Sequence, residues 1–264
     1  MGRLGVPYQG SKNAIAREIV ACLPSGRRFV DLFAGGCAMT HAAILSGKYE
    51  RFLSNDLDGA GVRLFVSAIK GECNGRWREW VTREEFFAKK DADPVIKLCW
   101  SFSNNGRDYL YARDREAAKR AEHLARVRGE KPTTRLQQDE ALQSLCQCEA
   151  LERLQALERD YRRIRFRAGD VVYADPPYAG TQRYNTEPFD TAAFWDWVRA
   201  RPFPVFVSEY AAPDDFAPIW CKGKCQLMHQ HGASGKVREF LFVHNRFAAD
   251  YQTDLFLGQE ARYA

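Results

Sequence analysis

With 264 residues, 45% hydrophobic and 28% charged, and a formal net charge of +5, the chain has the make-up of an ordinary globular protein. That length allows one catalytic domain with a sizeable insertion or two small lobes, and the mild basicity permits a nucleic-acid partner without arguing for one. No apolar signal region, membrane-length run, internal repeat or low-complexity tract is present, so a cytoplasmic protein with no membrane association is expected.

The first third alternates helix-like and strand-like segments. From Ser11 to Cys22 the apolar residues Ala14, Ile15, Ile19 and Val20, with Leu23 beyond, recur at helical spacing, and Pro24 ends the pattern. Arg28 to Phe33 reads as a short buried strand running into a glycine turn. Cys37 to Leu45 reads as a helix stopped by Gly47, Arg51 to Ser54 as a second strand, and Gly59 to Ile69 as a second helix. Strand and helix in turn imply a parallel sheet with helices on its faces.

From Gly71 to Arg167 that alternation breaks. Arg113 to Val127 and Asp139 to Tyr161 read as helices, the second with Leu142, Leu145, Leu151, Leu154 and Leu157 on one face, and a GEKPTT loop lies between them. Alternation resumes at Asp170. Val171 to Ala174 is a strand, Thr191 to Val198 a helix, and Pro204 to Ser208 a strand. Val237 to His244 reads as half of a hairpin whose other half lies around Gln226 to Gln230. The expected organisation is an α/β domain built from residues 1–70 and 168–264, interrupted by a mainly helical insertion over 71–167.

Asp175-Pro176-Pro177-Tyr178 follows directly on the apolar strand. A strand end in an open parallel sheet is where ligands collect, and two prolines stiffen the turn while removing amide donors. The Asp175 carboxylate and the Pro176 carbonyl can each accept an N–H from an aromatic amino group, as on adenine, and Tyr178 can stack on the base. Enzymes that act on a base in duplex DNA need such an extruded, stacked base. The bland alternative is a proline pair ending a strand, with Tyr178 capping the core. Asp31-Leu32-Phe33-Ala34-Gly35-Gly36 is a glycine turn between strand and helix, the kind that lets backbone approach a nucleotide cofactor. Asn55-Asp56 ends the next strand, where an acid can hold ribose hydroxyls. Taken singly, a tight turn and a surface turn explain these two equally well; the three together fit a methyltransferase sheet.

The insertion has the ingredients of a DNA surface. Asn104, Asn105 and Arg107 form a polar loop, in which Asn can pair with adenine and Arg with guanine. A plain turn is an equal reading of Asn104-Asn105. Arg113, Arg115, Lys119, Arg120, Arg126, Arg128, Lys131 and Arg135 are interspersed with acids and read equally as a solvated helix face. The run around Tyr161, with Arg159, Arg162, Arg163, Arg165 and Arg167, favours phosphate contact.

At these residues the sequence resembles the Dam-type DNA adenine methyltransferases, phage-encoded members included, over most of the chain outside the insertion. The resemblance implies a Rossmann-like methyltransferase sheet, S-adenosyl-L-methionine as cofactor, double-stranded DNA as partner, no obligatory protein partner, and adenine N6 as the methylated atom. Pro7-Tyr8-Gln9-Gly10-Ser11-Lys12 is similar to the family's first cofactor motif, which implies that Tyr8 and Lys12 lie near the cofactor with Asp31, Phe33, Gly35, Asp56 and Asp175. Asp175, Pro176, Pro177 and Tyr178 match the catalytic motif. The runs Gly180 to Asn185, with Tyr184, and Gly235 to Glu239, with Lys236 and Arg238, are implied to touch DNA or the extruded base. The insertion is implied to be the target-recognition module. Cys37 stands where the glycine motif often continues with glycine or serine.

Relatives with NPPY act on protein glutamine or some RNA bases, and SPPY goes with cytosine; the aspartate here favours adenine. An inactive DNA-binding relative is the other alternative. No metal is expected. The eight cysteines form no paired CxxC motifs, and reduced thiols are favoured over a Cys221, Cys225, His229, His231 site.

Overall fold

The computed structural model describes residues 3–129, 151–177, 189–225 and 236–251, with backbone alone at 77, 223–225 and 236–237. Among the described residues there are seven strands: β1 (Gly26–Asp31), β2 (Tyr49–Asn55), β3 (Leu154–Leu157), β4 (Asp170–Ala174), β5 (Val205–Glu209), β6 (Phe216–Cys225) and β7 (Lys236–His244). They form one sheet in the order β3-β2-β1-β4-β5-β7-β6. The first five run parallel, and β7 and β6 close the sheet as an antiparallel hairpin with a bulge between Pro218 and Trp220. This is the Rossmann-like α/β fold expected from the alternation.

The middle strands are near-continuous apolar runs because both sheet faces are covered. Helices α1 (Ala16–Cys22) and α2 (Ala38–Ser46) pack over Phe29, Tyr173 and Phe206 on one face. On the other, the helix Thr191–Arg199 buries Phe194, Trp195 and Val198 against Val30, Val172 and Val207. Gly47 adopts φ 69°, the left-handed C-terminal stop expected for α2. The chain runs from β1 outward to one edge and from β4 outward to the other, so a crevice opens at the carboxyl ends of β1 and β4. The glycine turn and the Asp175 turn both sit there.

One expected element is corrected. The part of the Asp139 to Tyr161 helix within the described residues is not a continuous helix: Leu154–Leu157 is an edge strand paired parallel with β2, Phe52 opposite Leu154 and Asn55 opposite Leu157. A strand of four residues carries too little periodicity to outweigh leucines spaced every third residue, and pairing with an open sheet edge decides the outcome. Tyr161 and Ile164 are buried in the same cluster as Val30 and Val172. The stretch from Leu154 to Phe166 therefore packs with the sheet. The hairpin partner of β7 is Phe216–Cys225; residues 226–230, 139–150, Lys131 and Arg135 lie outside the described residues.

After α3 (Ala60–Ile69) come α4 (Arg83–Lys89), α5 (Pro94–Cys99) and α6 (Glu116–Val127), the last preceded by a 3₁₀ turn at Arg113–Arg115. Thr82 and Asp93 cap α4 and α5 through their side-chain oxygens, and Pro94 occupies the first turn of α5. These elements enclose a small core of Val81, Phe86, Ile96, Trp100 and Tyr109. Val95 and Leu98 of α5 instead join Leu64, Phe65 and Ala68 of α3, which fastens α5 to α3.

Arg28 and Asp170 form a buried pair between β1 and β4: Nε donates to Oδ1 at 2.9 Å and Nη2 to Oδ2 at 2.6 Å. Nη2 also donates to the Arg165 carbonyl, and Asp170 Oδ2 accepts from the Arg167 N–H. Deleting one partner strands a desolvated charge. Asp170→Ala is expected to lower the unfolding free energy by about 3–5 kcal/mol with an unchanged denaturant slope, read from urea titration.

Candidate active site and its family

A cavity of about 1300 Å³ opens at the carboxyl ends of β1, β2, β3 and β4. Its floor is the turn from Asp31 to Gly36. Gly35 has φ 48°, and a Cβ there would stand 2.8 Å from the Tyr8 ring. A Cβ on Gly61 of α3 would lie 1.8 Å from the Gly35 carbonyl oxygen, so α3 and the turn touch backbone to backbone. The N-terminal segment is tied on by Val6 N–H donating to the Gly36 carbonyl at 2.8 Å. Cys37 is fully buried and itself takes the left-handed conformation, φ 58°, that usually favours glycine. Burial pushes its thiol well above the usual cysteine range, with Asp31 and Asp56 adding to the effect, so it acts as a packed, protonated side chain.

Among the carboxylates that line this cavity, Asp31 ends β1, and Asp56 and Asp175 directly follow β2 and β4. Asp31 is 1% exposed. Its Oδ2 accepts from Thr40 Oγ1 at 2.9 Å, while Oδ1 is buried with no hydrogen-bond partner among the described residues. Burial, reinforced by the charges of Asp175 and Asp56 and opposed by Thr40, pushes its pKa up to about 7. Asp56 Oδ2 accepts from the Gly35 N–H at 2.9 Å and Oδ1 from the Asp58 N–H at 3.0 Å; burial outweighs these bonds and raises its pKa. Asn55 faces inward. Its amide donates to the Leu32 and Arg159 carbonyls and accepts from the Arg159 N–H, lacing the ends of β1, β2 and β3 together.

The third carboxylate, Asp175, is held by a buried cation. Lys12 Nζ lies 2.8 Å from Asp175 Oδ1 and 3.1 Å from Glu239 Oε1 of β7. Burial alone would depress the Lys12 pKa, but Asp175 and Glu239 outweigh it and the net shift is upward. Tyr173, one strand position before Ala174, donates its hydroxyl to Ser208 Oγ at 2.8 Å and stiffens the same strand end. Pro176 and Pro177 line the cavity beside Asp175.

The structure thus gathers Tyr8, Lys12, Asp31, Phe33, Gly35, Asp56, Asp175, Pro176 and Pro177 around one space. Tyr178 and Tyr184 lie outside the described residues, as does the Lys236 side chain. Arg162 and Arg163 are exposed; Arg162 is on the cavity rim, paired with Asp160 and placed over the Tyr161 ring. Arg238 is exposed on β7. Asn104 and Asn105 behave as the turn alternative expects: Asn104, φ 57°, donates to the Leu98 carbonyl, and Asn105 Oδ1 caps the N–H groups of Arg107 and Asp108. Sequence reasoning missed Leu57, Asp160, Tyr161 and Tyr210 as cavity residues. Asp160-Tyr161 sits between a short strand and the next strand, but the surrounding arginines drew the reading toward phosphate.

A family model for the D12 class N6 adenine-specific DNA methyltransferase matches residues 8–196, a span that takes in Tyr8, Lys12, the glycine turn and Asp175-Pro176-Pro177. The chain belongs to this family. A comparison with curated proteins gives no match. As a D12-class enzyme it acts on adenine in DNA with S-adenosylmethionine as methyl donor. The cavity fits that cofactor: the buried Asp31 oxygen, with no hydrogen-bond partner among the described residues, suits an ammonium. No helix among the described residues is long and apolar enough to cross a membrane.

Gly61→Ala tests the close approach. Alanine favours a helix by about 1 kcal/mol over glycine, yet here its methyl must displace the Gly35 carbonyl. Cofactor affinity measured by calorimetry is expected to fall, and melting to fall with it, since overpacking a close backbone contact costs about 1–3 kcal/mol.

Proposed function

We propose that this D12-class methyltransferase transfers a methyl group to N6 of an adenine extruded from duplex DNA into the cavity beside Asp175. The observation that carries this is the convergence of Asp31, Asp56 and Asp175 on one cavity whose third acid is fixed by a buried lysine. In the cofactor's part of that space, Asp31 takes the amino-acid ammonium and Asp56 the ribose hydroxyls. Leu57 and the Asp160-Tyr161 turn border the adenosine ring beyond β2 and β3. Bound S-adenosylmethionine supplies an electrophilic methyl on a sulfonium.

The chain's own groups prepare the other reactant. An exocyclic amino nitrogen is a weak nucleophile because its lone pair is delocalised into the ring. Lys12 fixes the rotation of the Asp175 carboxylate, which accepts one N–H while the Pro176 carbonyl accepts the other. Both bonds favour the pyramidal nitrogen that attacks. The prolines leave no amide donors in the turn to compete for those acceptors. Tyr178 stacks on the base. The proton released after transfer passes to solvent, so no general-base histidine is needed.

DNA lies across the carboxyl edge of the sheet. Arg162, Arg163, Arg238 and Lys236 contact phosphate and fix register. The insertion, from about Gly71 to before Leu154, is the target-recognition module, with Arg107 on its polar loop.

Asp175→Asn is expected to cut single-turnover methylation about 100- to 1000-fold while cofactor affinity changes little. Near-normal turnover of that variant would remove Asp175 from the reaction.

Asp31 gives a pH test. In the free protein its carboxyl is half protonated at about pH 7. Holding an ammonium requires the carboxylate, so binding near or below that pH releases a proton. Affinity should therefore weaken as pH falls through 7, approaching tenfold per unit. The proton release appears as a buffer-dependent binding enthalpy. Asp31→Asn should bind weakly with a flat profile.

A further inference from the structure

Lys97 belongs to α5, inside the insertion, yet its ammonium reaches the loop that follows β2. Nζ lies 2.5 Å from Asp58 Oδ1, with the lysine side chain 9% exposed. Asp58 in turn donates its N–H to Asp56 Oδ1, and Asp56 Oδ2 accepts from the Gly35 N–H. The chain of contacts thus runs from α5 to the glycine floor, and Lys97, Asp58 and Asp56 all border the cavity.

The other flank of Lys97 faces the polar loop. A Cβ on Gly106, φ +69°, would stand 3.1 Å from both Cγ and Cε of Lys97, so the lysine stem lies flat against that glycine. Gly106 is pinned by its N–H to Ser101 Oγ at 2.9 Å, and Arg107 follows it. One side chain therefore touches both the loop offered to DNA and Asp58, whose N–H is bonded to the acid that faces the ribose.

Charge makes the contact more than packing. Asp31, Asp56, Asp58 and Asp175 share one cavity wall, and Lys97 is the cation bonded to Asp58. Without it, the loop that carries Asp56 and Asp58 loses its ionic tie to α5. We propose that Lys97 is a positioning residue for the cofactor, which couples occupancy of the insertion's DNA loop to occupancy of the cofactor site. This rests on the cofactor reading above. Reciprocity follows: whatever factor DNA adds to cofactor affinity, cofactor adds to DNA affinity.

The test is calorimetric titration of S-adenosylhomocysteine into the full chain, with and without a short duplex. Lys97→Met, which keeps the stem and deletes the charge, should weaken binding about tenfold, and Asp58→Asn should match it. Lys97→Arg should stay within about twofold. The double variant K97M/D58N should bind no worse than the weaker single, because both remove one interaction. The ratio of duplex affinities with and without S-adenosylhomocysteine should shrink toward one in K97M. Unchanged affinity in K97M, or losses that add in full in the double variant, would overturn the proposal while wild-type binding stands. Absence of binding by the wild-type chain would overturn the cofactor reading itself, and this inference with it.

Discussion

The ammonium of Lys12 is the contact on which the site depends. A buried lysine is tolerated only when paired, and a buried glutamate equally so; here Glu239, 0% exposed, and Asp175 share the one cation. The three residues come from the N-terminal segment, the end of β4 and the second strand of the closing hairpin. Their meeting ties the segment around Lys12 to β4 and β7, and it fixes the direction of the Asp175 carboxylate. Loss of Lys12 leaves two carboxylates without their cation, so the interaction binds folding and chemistry to the same atoms.

Around that contact the cavity is built to want positive charge. Burial, with the charges of Asp175 and Asp56, raises the cost of ionising Asp31. A cationic ligand reverses that cost. In the floor of that cavity Gly35 meets Gly61 of α3 backbone to backbone, and the Asp56 carboxylate accepts from the Gly35 N–H. Family membership and this electrostatic design agree on a sulfonium-bearing cofactor.

The sheet was legible in the sequence where local chemistry repeats. Apolar strands followed by glycine or proline turns located β1, β2, β4 and β5 within a few residues, and Gly47 marked its helix end. The edge strand Leu154–Leu157 was not legible, because four residues cannot declare a period of two against leucines at helical spacing. That same error pushed Asp160 and Tyr161 away from the cavity they border. The motif residues of the site were readable from turn chemistry and resemblance, but their partners were not. Nothing local links Lys12 to Glu239, Lys97 to Asp58, or Asn55 to Arg159; such contacts arise only when distant strands are set side by side. Asn104 and Asn105 illustrate the converse, since a polar pair suited to bases is spent on holding its own loop.

The central claim is that the Asp175 turn directs a methyl group onto an adenine amino nitrogen. The direct measurement is mass spectrometry of nucleosides from a mixed-sequence duplex incubated with the protein and methyl-deuterated S-adenosylmethionine. The account predicts label in N6-methyldeoxyadenosine, lost in Asp175→Asn. Label in a methylated cytosine, in the protein, or in no nucleoside at all would contradict it.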